Sequence, residues 1–379
     1  MPALRQRQRV AVLLALAGAV LAGAANADPG GDFHGLVALG EQALRANDAG
    51  AALRHYERAA ALRHVAEAEW GMVRSWMQAG NYRRALAFAA HAAGAHPDVV
   101  EGAGLYAWLL HIGGQPALAQ QTLAEARQRD PGNALLVATA ERLRDPALAP
   151  DVRLLDGATR QGPHAADAVR LPSSARAAGS GILLPAGRLA FVPAEAVADA
   201  ASLWLRDARG RISAAHVTRV LPELGLAELT LDTALLDPGE AIDALAVAPR
   251  DAFPGSPELA VAFAAPVDAP AVPLWPLLRT GFVGGWIDGA LYRLGTDLDG
   301  ADTHGGPVFD QNGRLIGVAL RGPDGAPRLL ATSALRVVWP RAFADAAPDA
   351  PRLSPDAVYE RAMDVVVQLI VLRRDVAMR

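Results

Sequence analysis

The chain has 379 residues, of which 52% are hydrophobic, and carries a formal net charge of −4 at pH 7. It contains no cysteine, which excludes disulfides, a thiol nucleophile and a cysteine-ligated metal centre. An acidic chain without a basic run also lacks the electrostatic footprint of a nucleic-acid-binding protein. The length is sufficient for two domains, each with its own core.

Residues 1–27 have the organisation of a secretory signal peptide. An arginine-rich start precedes the apolar run Val10 to Leu21, and Ala25-Asn26-Ala27 forms a small-residue cleavage site. The apolar run is shorter than the ~20 residues that a membrane-spanning helix needs. We therefore expect cleavage after Ala27 and a periplasmic or secreted product without a membrane span.

Residues 33–145 repeat one pattern of small residues three times, which indicates stacked helices. The pattern recurs at Ala52, Tyr56 and Ala59, then at Ala85, Ala89 and Ala92, and then at Ala119, Leu123 and Ala126. It resembles the tetratricopeptide repeat (TPR), in which small residues let paired helices approach closely. A final helix is expected after its N-cap Asn133. The resemblance implies a helical solenoid with a concave face that binds a protein or peptide; an alanine-rich bundle is the alternative.

Residues 146–175 are rich in proline, glycine and small residues. Pro146 ends the helical pattern because proline lacks an N–H group and restrains the residue before it. We interpret the segment as a linker that contains one short candidate strand, Ala168 to Leu171.

Residues 176–345 contain short apolar runs separated by Gly, Pro and Asp, a spacing typical of a sandwich or barrel of β-strands. Gly179-Ser180-Gly181, followed by an apolar hairpin, and the later Gly305-Gly306-Pro307 turn appear in the order found in the trypsin-like serine peptidases. The segment resembles the high-temperature-requirement branch of that family. The resemblance implies a trypsin-like double β-barrel.

The same resemblance implies that the catalytic triad is replaced. The family's histidine position is occupied by Glu195, its aspartate position by Gly225 and its serine position by His304. A serine hydroxyl activated by a neighbouring base performs the attack in that family, so a histidine in its place removes the nucleophile. Asp302 stands where the family has an oxyanion glycine, and a carboxylate there would repel the developing negative charge.

Two alternative catalytic arrangements stay open at this stage. His216 follows Ser-Ala-Ala, a local match to the family's histidine motif, and Asp232 or Asp237 could orient it. Thr303 is a hydroxyl residue, but it lies one position before the serine position, so its side chain would point elsewhere. A metal site built from His304 with Asp302 and Asp310 is a weaker alternative.

The last segment, residues 354–377, begins with a helix signal. Ser354 is a suitable N-cap, and Pro355 suits the first helical position. An apolar stripe at helical spacing follows and predicts an amphipathic helix, although the β-branched run Val365 to Val367 would also suit a strand.

Together these features predict an exported scaffold or regulator that binds proteins in an envelope complex, with TPR-like helices joined to an inactive protease barrel. No cofactor, metal or nucleic-acid partner is expected. A candidate binding groove lies near Asp302, Thr303, His304 and Gly305. An active hydrolase with a non-standard site, and a secretion or assembly accessory that uses the repeats alone, are the alternatives.

Overall fold

The structure is a computed structural model that describes residues 33–146, 148–165, 169–236, 245–264, 269–296, 304–345 and 350–374. The predicted signal peptide lies outside these residues, as do Asp237 and, from the candidate groove, Asp302 and Thr303. Within the described ranges, no helix combines the length and the apolar character that crossing a membrane requires.

Seven α-helices fill residues 33–144, a stretch that is described throughout. They are α1 Phe33–Arg45, α2 Ala49–Leu62, α3 Ala66–Gln78, α4 Tyr82–Ala95, α5 Val100–Ile112, α6 Pro116–Arg129 and α7 Ala134–Arg144. Each of these helices packs against the next along the chain. All nine residues that carry the repeated pattern are buried, since small side chains let neighbouring helices approach. The helical half is confirmed, while membership of the TPR family stays a prediction.

The predicted N-cap of the last helix in this half is confirmed. The side chain of Asn133 accepts hydrogen bonds from the backbone N–H groups of Leu135 and Leu136, at 3.1 and 3.2 Å. These bonds satisfy two of the amide groups that have no partner inside a helix.

The predicted linker is packed onto the helices rather than extended between domains. It contains a short 3-10 helix, Val152–Leu155, and buries Gln161 completely. Gln161 donates its amide to the Thr139 hydroxyl at 2.8 Å. The strand expected at Ala168 to Leu171 is wrong for residues 169–171, which have no strand conformation, and Ala168 lies outside the described residues. Val169 and Leu171 instead pack as irregular chain on the first barrel, before strand pairing begins.

The first barrel closes with six antiparallel strands. They are β1 Arg176–Leu183, β2 Leu189–Pro193, β3 Ala200–Asp207, β4 Ile212–Leu221, β5 Leu226–Leu231 and, from the C-terminal end of the chain, β14 Val366–Arg373. The strand order is β1-β14-β3-β4-β5-β2. A short helix, α8 Ala194–Val197, directly follows β2.

The second barrel uses the strands β6 Leu245–Val247, β7 Pro257–Ala262, β8 Leu277–Asp288, β9 Leu291–Leu294, β10 Pro307–Phe309, β11 Leu315–Arg321, β12 Pro327–Ala331 and β13 Phe343–Asp345. Their order is β10-β7-β8-β9-β12-β11-β6-β13, and an additional pairing between β10 and β11 closes six of them into a ring. Two more helices, α9 Thr332–Val338 and α10 Pro355–Ala362, follow β12 and β13. The expected double β-barrel is therefore confirmed.

The prediction of one helix over residues 354–377 is wrong for residues 363–374, while residues 375–377 lie outside the described residues. The helix ends at Ala362, and β14 inserts between β1 and β3 of the first barrel. Val366, Val367 and Leu369 are completely buried, which suits a strand whose two faces are both covered. The β-branched residues favour this conformation, and pairing with two distant strands outweighs the helical spacing of the apolar stripe.

The helix α10 joins the two halves of the molecule. Tyr359 packs edge-on against Tyr82 of α4 with ring centroids 4.5 Å apart, and its hydroxyl donates to the carbonyl of Pro276 at 2.7 Å. At the rim, Arg83 pairs with Glu360 at 3.0 Å. Because both tyrosines are fully buried, this contact is an apolar interface with one polar edge.

Candidate functional site

The Gly-Gly-Pro turn is fixed by close packing at the junction of the two barrels. Gly305 has a φ of +94°, and a Cβ atom there would lie 2.1 Å from the carbonyl oxygen of Ser180. A Cβ atom on Gly306 would lie 2.2 Å from the carbonyl oxygen of Val261. Ser180 also donates its backbone N–H to the carbonyl of His304 at 2.8 Å. Glycine is thus required here by sterics alone, whether or not the turn supports chemistry.

The structure brings together the three positions that the sequence comparison assigned to a triad. Nε2 of His304 lies 2.8 Å from Oε1 of Glu195, which stands in α8. The residue before Glu195, Ala194, donates its N–H to the carbonyl of Gly225 at 2.9 Å. Gly225 has a φ of +66°, a conformation that favours glycine, and it offers no side chain to orient the imidazole. The site therefore holds an imidazole and a carboxylate.

The surroundings of His304 favour the neutral form of its imidazole. Its side chain is 10% exposed, whereas that of Glu195 is 66% exposed. Burial lowers the pKa of His304, and the charge of Arg321 lowers it further, while Glu195 acts in the opposite direction. Nδ1 of His304 has no hydrogen-bond partner among the described residues, and the 2.8 Å contact between Nε2 and Glu195 is an ion-pair contact without hydrogen-bond geometry. Arg321 was not singled out from the sequence; its place at the end of β11, which pairs with β10 beside the turn, is the signal that could have found it.

A neutral imidazole beside a carboxylate can exchange protons, but acyl transfer also needs a nucleophile. Ser180, whose backbone contacts His304, is completely buried. Its Oγ accepts a hydrogen bond from the N–H of Phe263 at 2.9 Å, which ties the hydroxyl to the seam between the barrels. That hydroxyl cannot reach a substrate carbonyl unless the packing between the two barrels is disrupted. Thr303, the alternative hydroxyl residue, lies outside the described residues.

The alternative pair, His216 and Asp232, is a surface feature. Nε2 of His216 lies 3.0 Å from Oδ1 of Asp232, so the two side chains do meet. They are 74% and 55% exposed, and His216 stands on β4 opposite Thr230. Exposed ion pairs of this kind contribute about 0–1 kcal/mol and leave the histidine in water.

The weak metal alternative at the turn is not supported by Asp310. Its carboxylate pairs with Arg314 at 2.7 Å and accepts hydrogen bonds from the N–H groups of Asn312 and Arg314. These contacts stabilise the tight turn before β11 and occupy the oxygens that a cation would need. Asp302, its other proposed ligand, lies outside the described residues.

No protein-family model and no curated protein matches the chain. Solved structures of proteases do match, among them the protease domain of MamO from Magnetospirillum magneticum, which is 18% identical over 44% of this chain and 98% of that chain, with a TM-score of 0.31. The inactive form of the Rv3671c protease from M. tuberculosis H37Rv is 16% identical over 44% of this chain and 88% of that chain, with a TM-score of 0.33. Deg5 is 16% identical over 45% of this chain and 91% of that chain, with a TM-score of 0.34. At these values the likenesses carry no argument about activity.

Proposed function

We propose that this chain is an exported scaffold or regulator that binds proteins in an envelope complex and whose double barrel has lost protease chemistry. The observation that carries the proposal is the contact between His304 and Glu195, 2.8 Å apart at the positions assigned to the nucleophile and the base. The pair fills the space that the reacting hydroxyl would need and supplies only proton-exchanging groups.

A neighbouring position supports the same proposal. Gly225 provides backbone but no carboxylate, so nothing from that position orients a general base.

The helical half limits how a partner can bind. Helices α3 and α5 are buried along almost their whole length, because α2, α4 and α6 cover one side and other parts of the chain cover the rest. Gln161 contacts the last helix through Thr139, and the N–H of His164 donates to the side chain of Gln78 at 3.2 Å. A peptide that used this face would have to displace residues 152–164. We therefore infer that the partner binds the predicted groove beside Gly305 or the outward faces of the helices.

Binding without cleavage is the test. The purified full chain is titrated into fluorescein-labelled unfolded casein, and anisotropy and gel electrophoresis are followed on the same samples. The proposal predicts a saturable anisotropy change with intact casein, both in the wild type and in a His216→Ala variant. Casein fragments that disappear on His216→Ala would contradict it and favour a hydrolase centred on the surface pair.

A further inference from the structure

A second cluster of ligating side chains lies in the helical half, far along the chain from the barrel. His64 stands in the turn between α2 and α3, Glu69 lies in the first part of α3, and His96 directly follows α4. Nε2 of His64 lies 2.8 Å from Oε1 of Glu69, and Nε2 of His96 lies 3.3 Å from Oε2 of the same carboxylate. The three ligand atoms lie within 4.8 Å of one another.

The burial of this cluster is unusual for an ordinary surface ion pair. The side chain of Glu69 is 4% exposed and that of His96 is 15% exposed, whereas that of His64 is 67% exposed. The 3.3 Å contact between Oε2 of Glu69 and Nε2 of His96 lacks hydrogen-bond geometry, and neither atom has a hydrogen bond to any other described residue. A carboxylate taken out of water needs a compensating positive charge, so a bound cation would stabilise the cluster.

We propose that His64, Glu69 and His96 form a binding site for a divalent transition metal, with Zn²⁺ as the best fit. Two imidazoles and one carboxylate form a donor set that zinc accepts, with Zn–N and Zn–O distances of about 2.0–2.2 Å. Ligand atoms around a tetrahedral zinc are then separated by about 3.3 Å. The separations of 2.8 and 3.3 Å, which involve the two different oxygens of Glu69, are close to this value, and all three ligand atoms lie within 4.8 Å of one another.

The donor chemistry selects against the common hard cations. Mg²⁺ and Ca²⁺ prefer six or more oxygen ligands, and this cluster offers two imidazole nitrogens for one carboxylate. Three protein ligands leave one of the four positions around zinc for a water molecule. Solvent can reach the cluster on the side of His64, whose side chain is exposed. The C-terminal end of α4, which His96 caps, adds partial negative charge that favours a cation.

The position of the cluster gives the metal a structural consequence. His64 belongs to the turn that links the first and second helix pairs, and His96 ends the second pair. A bound ion would tie two neighbouring turns of the solenoid at one edge. The three ligands come together only in the folded chain, so the ion binds that state and not the unfolded one. Zinc should therefore raise the melting temperature of the protein.

Zinc titration of the full chain tests the site. Binding is measured by isothermal titration calorimetry, and melting temperatures are measured with and without ZnCl₂. We expect one Zn²⁺ per chain, at least tenfold weaker binding in His96→Ala and Glu69→Gln, and a zinc-dependent rise in melting temperature in the wild type that these two variants lack. His91→Ala is the matched control, since His91 is exposed on α4 and stands outside the cluster; it should bind zinc as the wild type does.

A second variant and a second probe keep the result clear if a substitution of buried Glu69 impairs folding. His64→Ala removes an exposed side chain and should leave the fold intact while weakening zinc binding at least tenfold. Co²⁺ in place of zinc should show the visible absorption of a four-coordinate centre, lost in His64→Ala. No zinc binding by the wild type, or equal affinity in all cluster variants, would overturn the proposal and leave a hydrogen-bonded cluster only.

Discussion

Replacing Leu369 by alanine tests the placement of β14 in the first barrel. Leu369 is completely buried and pairs with Leu205 on β3 and Gly179 on β1. Removing a buried leucine side chain costs about 2–5 kcal/mol, because the lost transfer free energy adds to the cost of the cavity. A domain of ordinary stability has about 5–15 kcal/mol in total, so a large part of the free energy of unfolding should disappear.

The assay is urea unfolding followed by tryptophan fluorescence, with Leu372→Ala as the matched control. Leu372 lies on the same strand but is only half-buried, so its replacement should cost about 1 kcal/mol or less. Truncation after Asp364 is the stronger perturbation. It removes the five apolar residues of β14 that are completely buried, Val366, Val367, Leu369, Ile370 and Val371. At about 2 kcal/mol each, their loss approaches 10 kcal/mol, which should leave the first barrel unfolded.

Two results would refute this reasoning. If Leu369→Ala and Leu372→Ala shifted the urea midpoint equally, the strand could not have the burial described here. If the truncated chain unfolded with the wild-type midpoint and slope, the first barrel would close without β14, and the segment would be an appendage.

The remaining predictions concern buried titratable groups and the glycine turn. Burial raises the pKa of Glu258 from 4.5 to about 8. The unfolded chain therefore loses this proton at a lower pH than the folded chain does, and stability falls as pH rises between those values. The shift corresponds to about 4 kcal/mol at pH 8, so Glu258→Gln should be more stable than the wild type at that pH by up to about 4 kcal/mol in urea unfolding. Burial lowers the pKa of His111 from 6.5 to about 4, so the unfolded chain binds this proton more readily and folding stability is lost as pH falls through that range. His111→Gln should therefore show a smaller drop in urea midpoint on acidification than the wild type, and an unchanged drop would contradict this. Gly305→Ala should lower the free energy of unfolding by at least ~2 kcal/mol, because the φ of Gly305 is +94° and the carbonyl of Ser180 blocks a Cβ atom. Gly285→Ala is the control, since Gly285 has open space around it and an ordinary φ, and this variant should unfold like the wild type.

Much of the fold could be predicted because its signals are local. The burial of Ala52, Ala85 and Ala119 at equivalent places follows from a spacing that can be read from the chain. The strand β14 could not be predicted in this way, since its partners β1 and β3 lie more than 150 residues earlier and only their pairing selects strand over helix. The packing of Gln161 onto α7 was missed for the same reason.

The candidate site likewise has features that could be predicted from the sequence and features that could not. A known motif order pointed to Glu195, Gly225 and His304, and these positions do lie together. Their electrostatics could not be predicted, because the burial of the imidazole and the approach of Arg321 depend on how the two barrels meet. The cluster around Glu69 was missed entirely, since its ligands come from two turns and a helix with no recognised metal-binding spacing.

Covalent labelling with a fluorophosphonate probe tests the central claim most directly, because the probe reacts with an activated serine or threonine hydroxyl whatever the substrate preference. The full chain is incubated with the probe beside active trypsin, and both are analysed by intact-mass spectrometry. The account predicts labelled trypsin and no adduct on this chain, since the pair of His304 and Glu195 has no accessible hydroxyl beside it in the part of the chain that the structure describes. A stoichiometric adduct, mapped to a residue beside His304 and abolished by His304→Ala, would contradict it.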